Sequence, residues 1–389
     1  MRLMILLRSC TVFAPEPMGK KDVLIAGTKI VAIEDRITAG EIPAISEICC
    51  DGLLLMPGLI DAHVHIAGAG GEGGPATRTP EMHLSKMLEA AVTTVVGCQG
   101  TDGVTRSLES LLMKVKALRQ EGVSAYMVTG SYQVPVPTLT GDIAKDIAMF
   151  DEVIGTGEIA ISDHRSSCPT TDKLKRVASQ SRIGGMLGGK QGTVIIHLGD
   201  AHDPFRPLYE VAQTSELRLT QFLPTHCNRN HHILEEAKKY GKLGYIDITT
   251  ASYPFFPVEE LKPSRAVAEL LQAGVPSNHI TMSSDGFGSL PRFDSNGKLL
   301  KLEMGYPISL LNEVRDCILL EGIDIPTAVS VATINVAKIF GLHQKGRIEV
   351  GLDADLAIFD SQINLMHLVA MGNLMVKDGI MLKKGTYES

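Results

Sequence analysis

A chain of 389 residues has room for one large α/β unit and a smaller companion, and 44% hydrophobic with 21% charged residues is an ordinary globular composition, far from that of a disordered chain. The net charge of −7, from 37 basic and 44 acidic residues with no basic run, argues against nucleic acid or an anionic membrane surface as partner and leaves a small molecule as the expectation. Seven cysteines at 10, 49, 50, 98, 168, 227 and 317 form no spaced framework and no C-x-x-C pair, which fits a reducing cytoplasm.

The opening Met1 to Arg8 has an apolar run of only five residues before Arg8, too short for a signal peptide, and reads as a first strand. Nowhere does the chain approach the roughly 18 consecutive apolar residues of a membrane helix. After a loop around Pro15 to Lys21, strands are expected over Asp22 to Gly27 and Lys29 to Ile33. The far end of the chain has the same character, with strands expected over Ala354 to Phe359 and Asn373 to Gly379. Two strand-rich ends around an α/β middle suggest a small, discontinuous β-sandwich unit from residues 1–56 and 345–389.

In the middle, residues 57–344, short apolar runs alternate with amphipathic helical patterns. The runs are Gly58 to His63, Val92 to Cys98, Ala125 to Gly130, Ile159 to Asp163, Thr193 to Leu198, Thr220 to Thr225, Tyr245 to Thr249 and His279 to Ser284. Helical patterns such as Ser107 to Gln120, Ile233 to Tyr240 and Val258 to Gln272 fit between them. Eight such units favour closure into a (β/α)8 TIM barrel; an open doubly wound sheet is the alternative, but no Gly-x-Gly-x-x-Gly follows the first run.

Barrel enzymes carry their chemistry at the carboxyl ends of the strands. His63 and His65 end the first run, and residues two apart on a strand share a face, so both imidazoles can reach one cation. His197 ends the fifth run, His226 the sixth and Asp285 the eighth. Any one of these alone reads as a solvated or hydrogen-bonded side chain, whereas four strand ends on one rim read as a metal centre. Two ions 3.5–4 Å apart would need a bridging anion.

The stretch Pro57-Gly58-Leu59-Ile60-Asp61-Ala62-His63-Val64-His65 resembles the opening of the amidohydrolase superfamily. Gly71 to Pro75 with Thr77 to Pro80, Gly100-Thr101-Asp102, Ile161 to Ser166, Pro224 to Asn230 and Ser283 to Gly286 are similar to the isoaspartyl (β-aspartyl) dipeptidases, and the likeness spans essentially the whole chain. It implies two divalent ions, zinc or similar, on His63, His65, His197, His226 and Asp285, bridged by a carboxylated lysine. The matching position holds Glu158, at the beginning of the fourth run, and a glutamate already carries the required carboxylate. As both ligand and carboxylate, Asp285 is the group expected to take the proton of metal-held water and pass it to the leaving amine, and the resemblance implies Tyr132 as a carbonyl-polarising group. It implies Glu72 on the substrate α-amino group, Arg165 and Arg229 on its carboxylates, and further contacts from Ser289, Thr101 and the Gly70 backbone. Tyr132 reads equally as a buried, hydrogen-bonded tyrosine, and either arginine as an ion-pair partner.

The function implied is hydrolysis of β-aspartyl dipeptides by a cytoplasmic homo-oligomer. Another amidohydrolase activity, of dihydroorotase, hydantoinase, D-aminoacylase or base-deaminase type, is the alternative, and a catalytically silent scaffold is a third reading that the missing lysine keeps open.

Overall fold

The structure, a computed structural model, describes residues 4–38, 40, 45–294, 296 and 298–388. The expected opening residues Met1 to Leu3 lie outside the described residues, and the first strand runs Met4–Phe13. It pairs antiparallel with Pro17–Ala26, so the loop expected over Pro15 to Lys21 is shorter than the sequence suggested. Met4–Phe13 is kinked: Ser9 has φ 60, and the register slips between Leu7 and Cys10. Its first half therefore pairs in parallel with Ile45–Cys49 and its second half with Leu54–Pro57.

Leu54–Pro57 pairs antiparallel with Leu356–Phe359, which continues into Leu365–Ala370, Asn373–Lys377 and Ile380–Met381. One hydrogen-bonded sheet of nine strands thus draws on both ends of the chain. Ile5, Leu7, Val12, Val23, Ile25, Leu356 and Ile358 form a buried cluster of their own on one face, while Ala357, Phe359, Leu368 and Ala370 alternate to the other and join the large core.

Eight further strands build a (β/α)8 barrel. Leu59–Val64, Val92–Gly97, Ser124–Thr129, Val153–Ile161, Thr193–Leu198 and Phe222–Thr225 form a six-stranded parallel sheet, and Ile246–Thr249 pairs in parallel with Ile280–Ser283. Backbone hydrogen bonds join the two pieces. Cys227 N–H donates to Asp247 O on one side, and on the other Asp285 N–H donates to His63 O and His65 N–H to Gly286 O. The strands are buried on both faces, as helix-covered parallel strands must be, which is why they read as continuous apolar runs. Ile60, Ala62, Val96, Val128, Ile154, Ile195 and Leu223 share a cluster with Val336, Ile339 and Phe340 of the helix Ile334–Phe340.

The helix Leu108–Glu121 shows how the local sequence sets its limits: the Ser107 side chain accepts from Ser110 N–H, and Gly122 ends the helix at φ 101. Lys345 ties the two units together. Its side chain is 2% exposed, with Nζ 2.8 Å from Asp353 Oδ2 and 2.5 Å from Asp355 Oδ2, and it donates to Ser124 Oγ at the start of the third barrel strand. Lys345→Met leaves the buried Asp355 carboxylate without its cation, while Asp353 keeps Lys29 at 2.8 Å, and should lower unfolding free energy by about 3–5 kcal/mol, read from urea denaturation. A loss below about 1 kcal/mol would mean the site relaxes onto water. Burial alone would depress the Lys345 pKa, but Asp355 and Asp353 raise it above 10.5. The contribution is therefore fully present below pH 10.5 and disappears only as pH rises through the higher folded-state value.

Candidate metal centre and substrate cavity

The backbone hydrogen bonds between the eighth and first barrel strands place Asp285 against His63 and His65. His226 and Asp285 both leave their strands in left-handed backbone conformations, φ 64 and φ 55. Such conformations cost a non-glycine residue about 1–3 kcal/mol and concentrate at functional sites.

The fourth strand begins at Val153, not near Ile159, so Glu158 is in its interior and not at its beginning. The sequence hid this because Gly155 and Gly157 interrupt the apolar run. Both are steric necessities: a Cβ at Gly155 would meet Thr193 O at 2.3 Å, and one at Gly157, φ 146, would meet Ile195 O at 2.8 Å. The close approach of the fifth strand explains the glycines, which read in the sequence as a boundary.

Glu158 stands between two sets of imidazoles. Its Oε2 lies 3.3 Å from His63 Nε2, 3.2 Å from His197 Nδ1 and 3.9 Å from His226 Nε2, and its Oε1 lies 3.7 Å from His65 Nε2. His65 Nε2 is 2.9 Å from Asp285 Oδ1, and His226 Nε2 is 3.0 Å from His197 Nδ1. All six side chains are buried. The structure therefore brings together every residue expected to hold metal.

The donor set fits divalent cations. Ligands 2.0–2.3 Å from a tetrahedral ion are about 3.3–3.8 Å apart, close to the spacings around Glu158. His63 Nε2 is buried and has no hydrogen-bond partner among the described residues. His197 Nδ1 faces three acceptors or donors at once, Glu158 Oε2, His226 Nε2 and the Tyr132 hydroxyl at 2.7 Å, more than one ring nitrogen can satisfy. Burial opposes ionisation of Glu158, yet His63, His197 and His226 hold its carboxyl well below the usual range. Burial takes His226 down to about 3, whereas at His63 and His65 burial is outweighed by Cys98 and by the Glu158 and Asp285 carboxylates, which raise both imidazoles.

Above the cluster opens a cavity of about 770 Å³. Glu72, Thr101, Tyr132, Arg165, Arg229 and Ser289 all line it, together with His65, His197, His226 and Asp285. Ser289 Oγ donates to Glu72, 2.8 Å from either oxygen, and Gly70 lies beside Ser289, packed so closely on Thr77 that a Cβ would meet Thr77 O at 2.6 Å. Arg165 makes a two-pronged pair with Asp163, Nε to Oδ1 at 3.0 Å and Nη2 to Oδ2 at 2.9 Å, and reaches Glu72 at 3.6 Å and Thr101 Oγ1 at 3.4 Å with Nη1. Arg229 has a buried Nε without a partner among the described residues.

Sequence reasoning missed several groups. Asp163 Oδ2 holds His197 Nε2 at 3.0 Å, and Thr249 Oγ1 holds His226 Nδ1 at 2.7 Å, each fixing the ring from behind. The first was readable only as a strand-end carboxylate and the second not at all. The Cys98 thiol lies 3.8 Å from His65 Nδ1; burial would raise its pKa, but His63 and His65 draw it down. An antiparallel hairpin, Ser289–Phe293 with Leu299–Met304, brings Leu290, Pro291 and Phe293 to the cavity wall, where Phe293 packs edge-on to His164.

Eight parallel strands with imidazoles and carboxylates from five of them at one rim define an amidohydrolase-type barrel. Residues 219–383 match the model of the amidohydrolase family. The crystal structure of β-aspartyl dipeptidase from the thermophilic, keratin-degrading Fervidobacterium islandicum AW-1, in complex with β-Asp-Leu dipeptide, is similar throughout, with 39% identity, a TM-score of 0.92, and 99% of this chain and 100% of that chain covered. The chain belongs to the β-aspartyl dipeptidase family of amidohydrolases. The dihydroorotase of Elusimicrobium minutum is more distant, 24% identical over 385 residues, 88% of this chain and 84% of that protein. A D-hydantoinase from Thermus sp., 17% identical at a TM-score of 0.68 over 99% of this chain and 98% of that one, shares the fold.

Proposed function

We propose that this chain hydrolyses β-aspartyl dipeptides at a two-metal centre, in which His63, His65 and Asp285 would hold one divalent ion, His197 and His226 the other, and Glu158 would be shared between them, zinc being the expected metal. A single cavity carries the reading: its floor is the cluster around Glu158, and its walls present one carboxylate and two guanidinium groups suited to the charged ends of a short peptide. Bound divalent metal supplies a more acidic water and a Lewis acid for the amide carbonyl.

The protein groups do the rest. Glu72 receives the α-amino group, Arg165 and Arg229 the carboxylates, and Ser289, Thr101 and the Gly70 backbone complete the fit. The Tyr132 hydroxyl, beside His197, donates to the carbonyl oxygen as negative charge develops there. Asp285 takes a proton from the attacking water and delivers it to the leaving amine nitrogen. Gripping both ends restricts the enzyme to small substrates. The same proposal includes a barrel over 57–344, a small unit from 1–56 and 345–389, a cytoplasmic location and a homo-oligomer; no helix among the described residues is long and apolar enough to cross a membrane.

The test is a direct comparison of β-Asp-Leu, α-Asp-Leu, dihydroorotate and N-acyl amino acids. We expect kcat/KM for β-Asp-Leu to exceed the others by roughly 100-fold or more. Equal or faster cleavage of any other member of the set would replace this reading with that activity.

A further inference from the structure

We propose that Cys98 is a metal ligand, joining His63, His65 and Glu158 to make one of the two sites a sulfur-containing site for a thiophilic divalent cation. Cys98 directly follows the second barrel strand, Val92–Gly97, and its backbone N–H donates to Val64 O between the two first-strand histidines. That bond fixes the thiol beneath them. One ligand atom each from His63, His65, Cys98 and Glu158 can be chosen so that all lie within 4.8 Å of one another, and all four side chains are buried.

A second observation is independent of the thiol: His63 Nε2 is buried, has no hydrogen-bond partner among the described residues, and faces Glu158 Oε2 at 3.3 Å, the spacing of two ligands on one ion. Cys98 Sγ lies 3.8 Å from His65 Nδ1 and 3.7 Å from Val64 O, long contacts that weakly satisfy a buried thiol, and His63 is also within its reach. The other cysteines belong to no ligand cluster found among the described residues.

When the cation binds, the Cys98 S–H proton is released to solvent as the sulfur–metal bond forms, and the thiolate with the Glu158 and Asp285 carboxylates sets three negative charges against the four positive charges of two divalent ions. Sulfur beside imidazole selects zinc, cadmium or cobalt over magnesium, calcium or manganese. The inference rests on the cluster binding metal, not on the substrate proposed above.

Zinc-edge X-ray absorption of the zinc-loaded full chain tests it without any variant. A sulfur shell at about 2.3 Å is expected, and a shell of nitrogen and oxygen alone overturns the proposal while leaving the metal centre standing. In the cobalt-loaded protein a sulfur-to-cobalt charge-transfer absorption is expected, lost in both Cys98→Ser and Cys98→Ala, with zinc affinity reduced on the order of tenfold or more. A band that persists in either variant would assign the sulfur to another cysteine and overturn the proposal. Failure of the wild-type chain to retain any zinc or cobalt on elemental analysis would overturn this inference and the metal centre alike.

Discussion

Glu158→Ala protein should retain less than half the metal of the wild type after dialysis and should cleave β-Asp-Leu roughly 1,000-fold or more slowly. Glu158 is the one side chain whose two oxygens face both sets of imidazoles, so its loss removes a ligand from each side at once. It also leaves five buried polar side chains with one carboxylate fewer to offset the charge of bound cations. Elemental analysis decides the matter: two ions per chain in the variant, as in the wild type, would remove Glu158 from the bridge. Circular dichroism checks that the variant is folded, and Glu158→Gln, which preserves volume, separates loss of the anion from loss of packing.

Asp285→Asn should reduce kcat for β-Asp-Leu by about 100- to 10,000-fold, with KM changing much less. The substitution keeps the size of the side chain and one oxygen for His65 but removes the group able to accept and return a proton. A kcat close to that of the wild type would show that another group carries the proton. The two variants are meant to differ in kind: loss of Glu158 empties the centre, whereas loss of Asp285 should leave the imidazole-held metal largely in place and stop turnover.

The parts of the fold legible in the sequence were those governed by local periodicity. Seven of the eight barrel strands appear within a few residues of their apolar runs, because strands buried on both faces are mostly apolar and their few polar residues, such as Asp61 and Asp247, are hydrogen-bonded inside. His63, His65, His197, His226 and Asp285 were readable for a related reason: each interrupts or ends such a run at the rim where barrel chemistry sits. The fourth strand was only half legible, since Gly155 and Gly157 exist for the neighbouring strand's sake and look locally like a break. The bend at Ser9, which lets Met4–Phe13 serve two parallel partners, is a tertiary device with no periodic trace.

The surroundings of the centre were less legible, because they consist of hydrogen bonds between residues distant in the chain. Thr249 behind His226, and Asp163 shared by His197 and Arg165, are ordinary residues until the barrel closes. Cys98 carries the least signal of all. A cysteine at a strand end reads as a small hydrophobe, and nothing in its neighbours announces that Val64 O will draw it under two histidines.

The pairing of Leu54–Pro57 with Leu356–Phe359 has a consequence for how the molecule is made. A ribosome producing about 5–20 residues per second needs roughly 15–60 s to travel from one strand to the other. Throughout that interval Leu54–Pro57 has an unpaired edge, and the barrel, whose first strand follows directly, must be assembled beside it. Such an edge invites pairing with a neighbouring nascent chain, so dilution of polysomes or an early-binding chaperone would favour the correct partner, Leu356–Phe359, which is made long after it.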